Sequence, residues 1–229
     1  MKIASLFSGG KDSAYAIHLM QKQGNDVVVL ITIFPNSAES HLLHHPNMFW
    51  TKLQAESMNI PQLITESNSD VTEDELIQIE KLLITAKEKF NIEGIVHGGI
   101  KSNFQKEKFE TICQKLDLRV FTPLWNTEAE KYMKDLLDSN FSFMMTSVTS
   151  EGLDDAWLGK KITNSDLSIL KNLSGKYGFN LNFEGGEAET FVVDCPMFSS
   201  PIEITKFEKN WDGYRGRFEI VDAELNYNA

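Results

Sequence analysis

The chain opens with an apolar run, KIASLF at residues 2–7. It breaks at two glycines and resumes as SAYAIHLMQKQG, with apolar positions at helical spacing. A short continuous apolar run predicts a buried strand, and a three-to-four-residue apolar period predicts a helix with one face on a core. Gly24 fits the end of that helix. The same alternation then repeats. DVVVLITIF (26–34) is β-branched and nearly uninterrupted, as a central parallel strand requires. A loop (35–47) leads to a helix MFWTKLQAESMN (48–59), a strand PQLITE (61–66) and a long amphipathic helix (72–90). Thr72 and Glu75 have the spacing of a capping box. GIVHGGI (94–100) reads as a fourth strand ending in two glycines. NFQKEKFETICQKLD (103–117) reads as a helix capped by Ser102, and LRVFTP (118–123) as a fifth strand. Strands alternating with helices predict an α/β fold, a parallel sheet with right-handed crossovers and helices on both faces. Ligands of such sheets bind beyond the carboxyl ends of the strands. The loops after the first, second and fourth strands are expected to meet there.

The pattern changes after Pro123. A helix (126–140), a strand FSFMMTSVTS (141–150) and a helix with a Ser/Asp cap (165–178) come first. FNLNFEGGEAETFVVDCP (179–196), PIEITKFEKNW (201–211) and RFEIVDAELNY (217–227) follow, the last two alternating as strands of a meander. These elements predict a second, smaller α+β domain. The expected division is 1–123 and 124–229.

Composition narrows the class. The chain has 229 residues, 41% hydrophobic and 24% charged, as ordinary globular proteins have. No apolar run approaches a membrane span, and MKIASLF is too short for a signal peptide, so a cytoplasmic protein is expected. A net charge of −11 argues against general nucleic-acid binding. Cys113 and Cys195 stand far apart and read as small buried hydrophobes, against a zinc site or paired-cysteine sulfur transfer. His41, His44 and His45 lie in a loop before a proline and read as a flexible cover, not a metal centre. His97 reads as a core histidine.

The break between the first strand and the first helix is SGGKDS, residues 8–13. Gly9 and Gly10 permit a tight turn and a close backbone approach to a ligand. The amides that follow open a helix, whose N-terminal dipole favours anions. Lys11 adds a point charge, and Ser8 and Ser13 add hydroxyls. Asp12 is unfavourable beside an anion unless it meets a cation. It orients Mg²⁺, caps the helix or holds Lys11. The turn is not a Walker A loop, because Ser5 occupies the place of its first glycine and Asp12 follows the lysine. Nor is it the Rossmann G-x-G-x-x-G.

In this position, residues 8–13 resemble the pyrophosphate loop (PP-loop) of the ATP pyrophosphatases, which cleave ATP to AMP and pyrophosphate. The resemblance implies an adenine-nucleotide α-hydrolase fold, HUP or Rossmann-like, with five parallel strands. It also implies that Ser8, Gly9, Gly10, Lys11, Asp12 and Ser13 hold ATP, with Gly98 and Gly99 beside it. EGGEAETFVVDCPMF (184–198) is similar to the E-G-G-E-x-E-T-x-x-x-D-x-P stretch of the diphthine–ammonia ligase family. GGIKSNFQKEKFETIC (98–113) resembles that family's G-A-I-x-S-x-Y-Q segment. HHPN (44–47), WLGKKI (157–162) and WDGYRGR (211–217) also match, the last as in short archaeal-type members. Gly99, Phe104 and Ala188 depart from the usual alanine, tyrosine and aromatic residue.

That family implies an AMP-forming amidation. The carboxylate of diphthine, a modified histidine on elongation factor 2, attacks the α phosphate, and ammonia displaces AMP from the acyl-adenylate. The resemblance then assigns Lys11, Asp12, Glu187 and Glu189 to catalysis and Asp12 to Mg²⁺. It assigns Ser102, Gln105, Glu184, Gly185, Gly186, Glu187, Glu189 and Thr190 to the substrate. Elongation factor 2 and ammonium are the expected partners, with no nucleic acid or membrane, and a homodimer stays open. An alternative keeps the chemistry but adenylates another carboxylate or carbonyl. A nucleotide-binding regulator without turnover is a third reading, against which the Lys11–Asp12 pair argues.

The residues themselves leave choices. Glu187 and Glu189, two apart, share one side of a strand, and Gly185 and Gly186 bend the chain toward a ligand. Those carboxylates bind ammonium, deprotonate it or meet the trimethylammonium of diphthine. Otherwise they are solvent-facing glutamates beside a glycine bulge. Gly98 and Gly99 either admit ribose or adenine, or make a turn that needs positive φ. Ser102 and Gln105 reach a phosphate or the substrate, or are a cap and a surface residue.

Overall fold

Five parallel strands form the first sheet: β1 (Lys2–Leu6), β2 (Asp26–Pro35), β3 (Gln62–Ser67), β4 (Gly94–Val96) and β5 (Arg119–Phe121). Their order is β3-β2-β1-β4-β5. The winding therefore reverses between β1 and β4, the switch point at which such sheets open a crevice. The structure is a computed structural model that describes residues 1–35, 46–67, 72–101 and 103–228, excepting the side chains of 35, 46, 67, 72–74, 104 and 105. Helices α1 (Lys11–Lys22), α2 (Thr51–Met58), α3 (Thr72–Phe90) and α4 (Asn103–Lys115) alternate with the strands. One core cluster joins Ala4, Val29, Ile31, Ile33 and Ile95 to Ile79, Leu83 and Ala86 of α3 and to Phe109, Ile112 and Cys113 of α4. The intervening strand residues Ile3 and Leu30 are equally buried on the other face. The uninterrupted apolar run of β2 is thus explained by cover on both faces.

The second sheet is antiparallel, in the order β7-β6-β9-β8. It follows α5 (Ala129–Asp138) and consists of β6 (Ser142–Val148), β7 (Ala188–Asp194), β8 (Ile202–Trp211) and β9 (Gly216–Leu225), with α6 (Asn164–Tyr177) between β6 and β7. β6 is flanked on both sides and buries Phe143, Met145 and Val148 completely. β8 and β9 pair antiparallel as expected of the last two strands, and β9 pairs next with β6. By contacts, one unit comprises Met1–Ser8 and Asp12–Trp125, and the other comprises Gly9–Lys11 and Asn126–Ala229.

Several local expectations shift. β4 stops at Val96, so His97, Gly98 and Gly99 lie beyond the strand. The helix read from residue 48 begins as a 3-10 turn, Pro46–Trp50, before α2. The cap of α6 is Thr163, which forms a capping box with Asp166. Cys113 and Cys195 are buried free thiols, each pushed up to about 12 by desolvation. No described helix is long and apolar enough to cross a membrane.

Candidate active site

β1 delivers the glycine turn. Phe7 prolongs its pairing, with Phe7 N–H donating to Ile31 O at 2.9 Å and Thr32 Oγ1 donating to Phe7 O at 2.8 Å. Ser8 N–H donates to Ser13 Oγ at 3.3 Å, and the two hydroxyl oxygens stand 3.2 Å apart. Two hydroxyls are thereby paired at the start of α1. Gly9 has φ 80°, a left-handed conformation that favours glycine. This is the conformation that lets successive amides face one anion.

The turn after β4 is built against the same helix start. A Cβ on Gly98 would lie 2.5 Å from the Asp12 carbonyl carbon and 2.7 Å from Ser13 N. Gly98 does not have positive φ. Its glycine is required because the backbone of α1 fills the space, a cause that neither sequence-based reading anticipated. His97 Nδ1 accepts the Gly99 N–H at 3.1 Å, and His97 N–H donates to Phe121 O at 3.2 Å. His97 is 4% exposed, its ring meets Phe109 edge-on at 5.0 Å, and its Nε2 is buried with no hydrogen-bond partner among the described residues. Desolvation first, and the nearby Lys106 charge second, lower its pKa to about 4. The ring is therefore neutral near pH 7, as its role as an acceptor requires.

In the second unit, Gly9–Lys11 runs beside β7. Val192 N–H donates to Gly9 O at 3.0 Å, and Lys11 N–H donates to Thr190 Oγ1 at 3.1 Å. The Lys11 side chain is 2% exposed. Its Nζ stands 5.7 Å from the centre of the Tyr132 ring and 5.6 Å from that of Phe183.

The acid-rich turn precedes β7 and does not belong to it. β7 begins at Ala188, so the argument that Glu187 and Glu189 share one strand face fails for Glu187. The Glu187 carboxylate instead folds back on its own turn. It accepts from Asn180 N–H at 2.8 Å, Asn180 Nδ2 at 2.6 Å and Gly185 N–H at 2.8 Å. A Cβ on Gly185 would lie 2.7 Å from that carboxylate, whereas Gly186 has φ 80° and open space around it. Thr149 of the neighbouring strand end donates to Gly186 O at 2.7 Å and, through its N–H, to Glu187 O at 2.9 Å. Glu189 lies within β7 and is half-buried.

The first unit thus brings together Ser8, Asp12, Ser13, Gly98 and Gly99. The second brings together Gly9, Gly10, Lys11, Thr190 and the turn 184–189. Ser102 and the histidines 41, 44 and 45 lie outside the described residues, as do the side chains of Gln105 and Thr72. Among the described residues, no three His, Cys, Asp or Glu side chains are grouped for a metal ion. A Mg²⁺ carried on substrate phosphates needs only one or two protein carboxylates, so it requires no such group. Tyr132, Phe183, Asn180 and Thr149 were missed by the sequence reading. The first two look like core residues in any apolar pattern, and the last two look like loop residues.

Comparison with known proteins covers both halves. Residues 1–120 match the model of the diphthamide synthase N-terminal domain, and residues 128–225 match that of the diphthamide synthase C-terminal domain. The chain is 32% identical to a human diphthine–ammonia ligase over 91% of this chain and 84% of that protein. A Schizosaccharomyces pombe diphthine–ammonia ligase is 29% identical, over 91% of this chain and 37% of its own length. Among solved structures, a predicted subunit of a tRNA methyltransferase from Methanocaldococcus jannaschii overlaps with a TM-score of 0.40 at 16% identity, covering 75% of this chain and 87% of that one.

Proposed function

The chain belongs to the diphthine–ammonia ligase family, and from that premise we propose that it is a cytoplasmic ligase that amidates diphthine on elongation factor 2 with ammonium and ATP. The observation that carries this reading is the family match across both halves, with the PP-loop sequence at the turn that leads from β1 into α1.

The reaction has two steps. A diphthine carboxylate oxygen forms a bond to the α phosphorus, and the bond from that phosphorus to the bridging oxygen breaks, releasing pyrophosphate. Ammonium then gives up a proton, its nitrogen attacks the acyl carbon, and the acyl–oxygen bond to AMP breaks. A second proton leaves the nitrogen as the amide forms.

The residues have the following proposed parts. Amides and hydroxyls of residues 8–13 hold the departing β and γ phosphates, and Lys11 meets the charge that develops on them. Asp12 would hold Mg²⁺, which supplies further neutralisation of phosphate charge. Gly98 and Gly99 line the nucleotide side. Glu189 would take the proton of ammonium, while Glu184, Gly185, Gly186 and Thr190 would shape the acceptor side. Glu187 also belongs to this turn, but its acceptor positions are occupied by three N–H groups, so we assign it to holding the turn. Ser102 and Gln105 remain proposed substrate contacts.

The test is incubation with ATP, Mg²⁺, ammonium and elongation factor 2 carrying diphthine. AMP, pyrophosphate and one new amide per factor are expected. ADP as product, or AMP formed without any need for the factor, would overturn the assignment.

A further inference from the structure

The Phe7–Ser8 peptide leads out of β1 into the glycine turn, and side chains hold it at both ends. Its carbonyl accepts from Thr32 Oγ1 at 2.8 Å, and its N–H donates to Ser13 Oγ at 3.3 Å. Thr32 is in turn one of two hydroxyls met by a single amide. Gln62 Nε2, from the first residue of β3, donates to Thr32 Oγ1 at 2.8 Å and to Thr51 Oγ1 at 2.9 Å. Thr51, the first residue of α2, donates to Met48 O at 2.7 Å and so closes the 3-10 turn Pro46–Trp50. Trp50, at the N-cap of α2, has no side-chain acceptor with which to cap that helix. Thr32 and Thr51 are 1% and 0% exposed, so both hydroxyls are shielded from bulk water. All of these residues belong to the first unit.

On the reading of residues 8–13 as the ATP site, we propose that Gln62 is a positioning residue for that site. Through Thr32 it fixes the peptide that leads into residues 8–13, and through Thr51 it ties that peptide to the turn 46–50. The hydroxyl protons decide the logic. Each threonine commits its one hydroxyl proton to a backbone carbonyl, so each oxygen can only accept from a third group. An amide nitrogen has two protons and matches two such acceptors, which also settles which end of the Gln62 amide faces them. A carboxylate or an apolar group in its place would match neither. The chain from Phe7 O through Thr32, Gln62 and Thr51 to Met48 O is therefore directional, with every proton assigned. A buried network of this kind is costly to leave half-satisfied, so it holds one arrangement. It joins residues 8–13 to the turn that carries Asn47, the last residue of the HHPN match, to which the proposed reaction gives no part.

The experiment measures Kd for α,β-methylene-ATP with Mg²⁺ in the full chain, without ammonium or protein substrate, at a temperature below the Tm of every variant. Gln62→Glu keeps the shape but cannot donate, so the two hydroxyls turn to the carboxylate and release Phe7 O and Met48 O. Gln62→Met removes the donor and leaves both carbonyls their partners. Gln62→Glu is expected to raise Kd about tenfold and Gln62→Met about threefold. Thr32→Val takes the partner from Phe7 O and is expected to match Gln62→Glu, with Thr32→Ser binding as the parent does. Added to Thr32→Val, Gln62→Glu should change Kd no further. A lowered Tm with Kd unmoved, or effects that multiply in the double variant, would show packing alone and overturn the proposal. Thr51→Val is expected to raise Kd about twofold; no change removes the turn 46–50 from the role. A parent chain that does not bind the analogue overturns both this proposal and the ATP site on which it rests. If Kd responds as expected but no amide forms in the full assay, the proposed function fails and the positioning role stands. If amide forms and Kd is unmoved in every variant, only the positioning role fails.

Discussion

The turn after β4 and the turn before β7 use the same device with opposite physics. In each, a glycine N–H is caught by a side chain two residues away: Gly99 by His97 Nδ1, and Gly185 by the Glu187 carboxylate. The first acceptor is neutral and buried. The second is a carboxylate at a half-exposed site with three donors. The glycines differ as well. Gly98 has an ordinary backbone and no room, while Gly186 has a left-handed backbone and open space. A glycine pair in a sequence therefore does not say whether space or conformation demands it, and the two demands respond differently to mutation.

The largest expected effect is at Gly98. Gly98→Ala places a methyl against the backbone of Asp12 and Ser13, which has no side-chain freedom to yield. A loss of about 3–4 kcal/mol in urea unfolding is expected, together with loss of nucleotide binding. A loss below about 1 kcal/mol would show that the start of α1 adjusts freely.

Acid should loosen the first turn next. The His97 pKa is lowered in the folded chain to about 4, so the unfolded chain takes up the proton first as pH falls. Its contribution is fully present above the unfolded value near 6.5 and is lost as pH falls from there toward 4. The total is about 3 kcal/mol at most. Unfolding measured across that window should show this slope, and His97→Asn should remove it. Asparagine retains an acceptor close to the Nδ1 position, so it should keep the Gly99 hydrogen bond where His97→Gln does not.

The second turn should respond more weakly in stability and more sharply in activity. Glu187→Gln replaces a charged acceptor with a neutral one and should cost about 1 kcal/mol, with a fall in Tm. Glu189→Gln should reduce amide formation by about a hundredfold. Equal losses of amide formation in the two variants would remove the distinction drawn between these acids. Gly186→Ala has room for its methyl and should cost only about 1 kcal/mol, through backbone conformation alone.

Much of the fold was legible in the chain because its strands and helices obey their periods. The run of β2 and the amphipathic period of α3 carried enough residues to place both elements. The right-handed crossovers expected of such a sheet do not by themselves give the order β3-β2-β1-β4-β5, in which the chain returns from the edge strand β3 past β2 and β1 to β4. What was not legible came from distant parts of the chain meeting. The fourth strand reads as continuing through GGI, and it ends at Val96; beyond it, Gly98 meets the backbone of a helix almost ninety residues earlier. The α6 cap at Thr163 was hidden because Ser165 and Asp166 offer equally plausible caps. In the candidate site, residues 8–13 announced a phosphate turn by residue type alone. The burial of Lys11, the inward ring of Phe183 and the use of Glu187 as an acceptor depend on residues that no local pattern connects.

The grouping of Gly9–Lys11 with the second unit bears on how this chain can exchange parts with its relatives. A recombinant joined near residue 125 keeps every element whole, yet it takes Gly9 and Lys11 from one parent and Thr190 and Val192 from the other. Inheritance of these four positions is linked although about 180 residues separate them. Chimeras in this family should therefore be scored by whether that quartet travels together, and not by where the chain is cut.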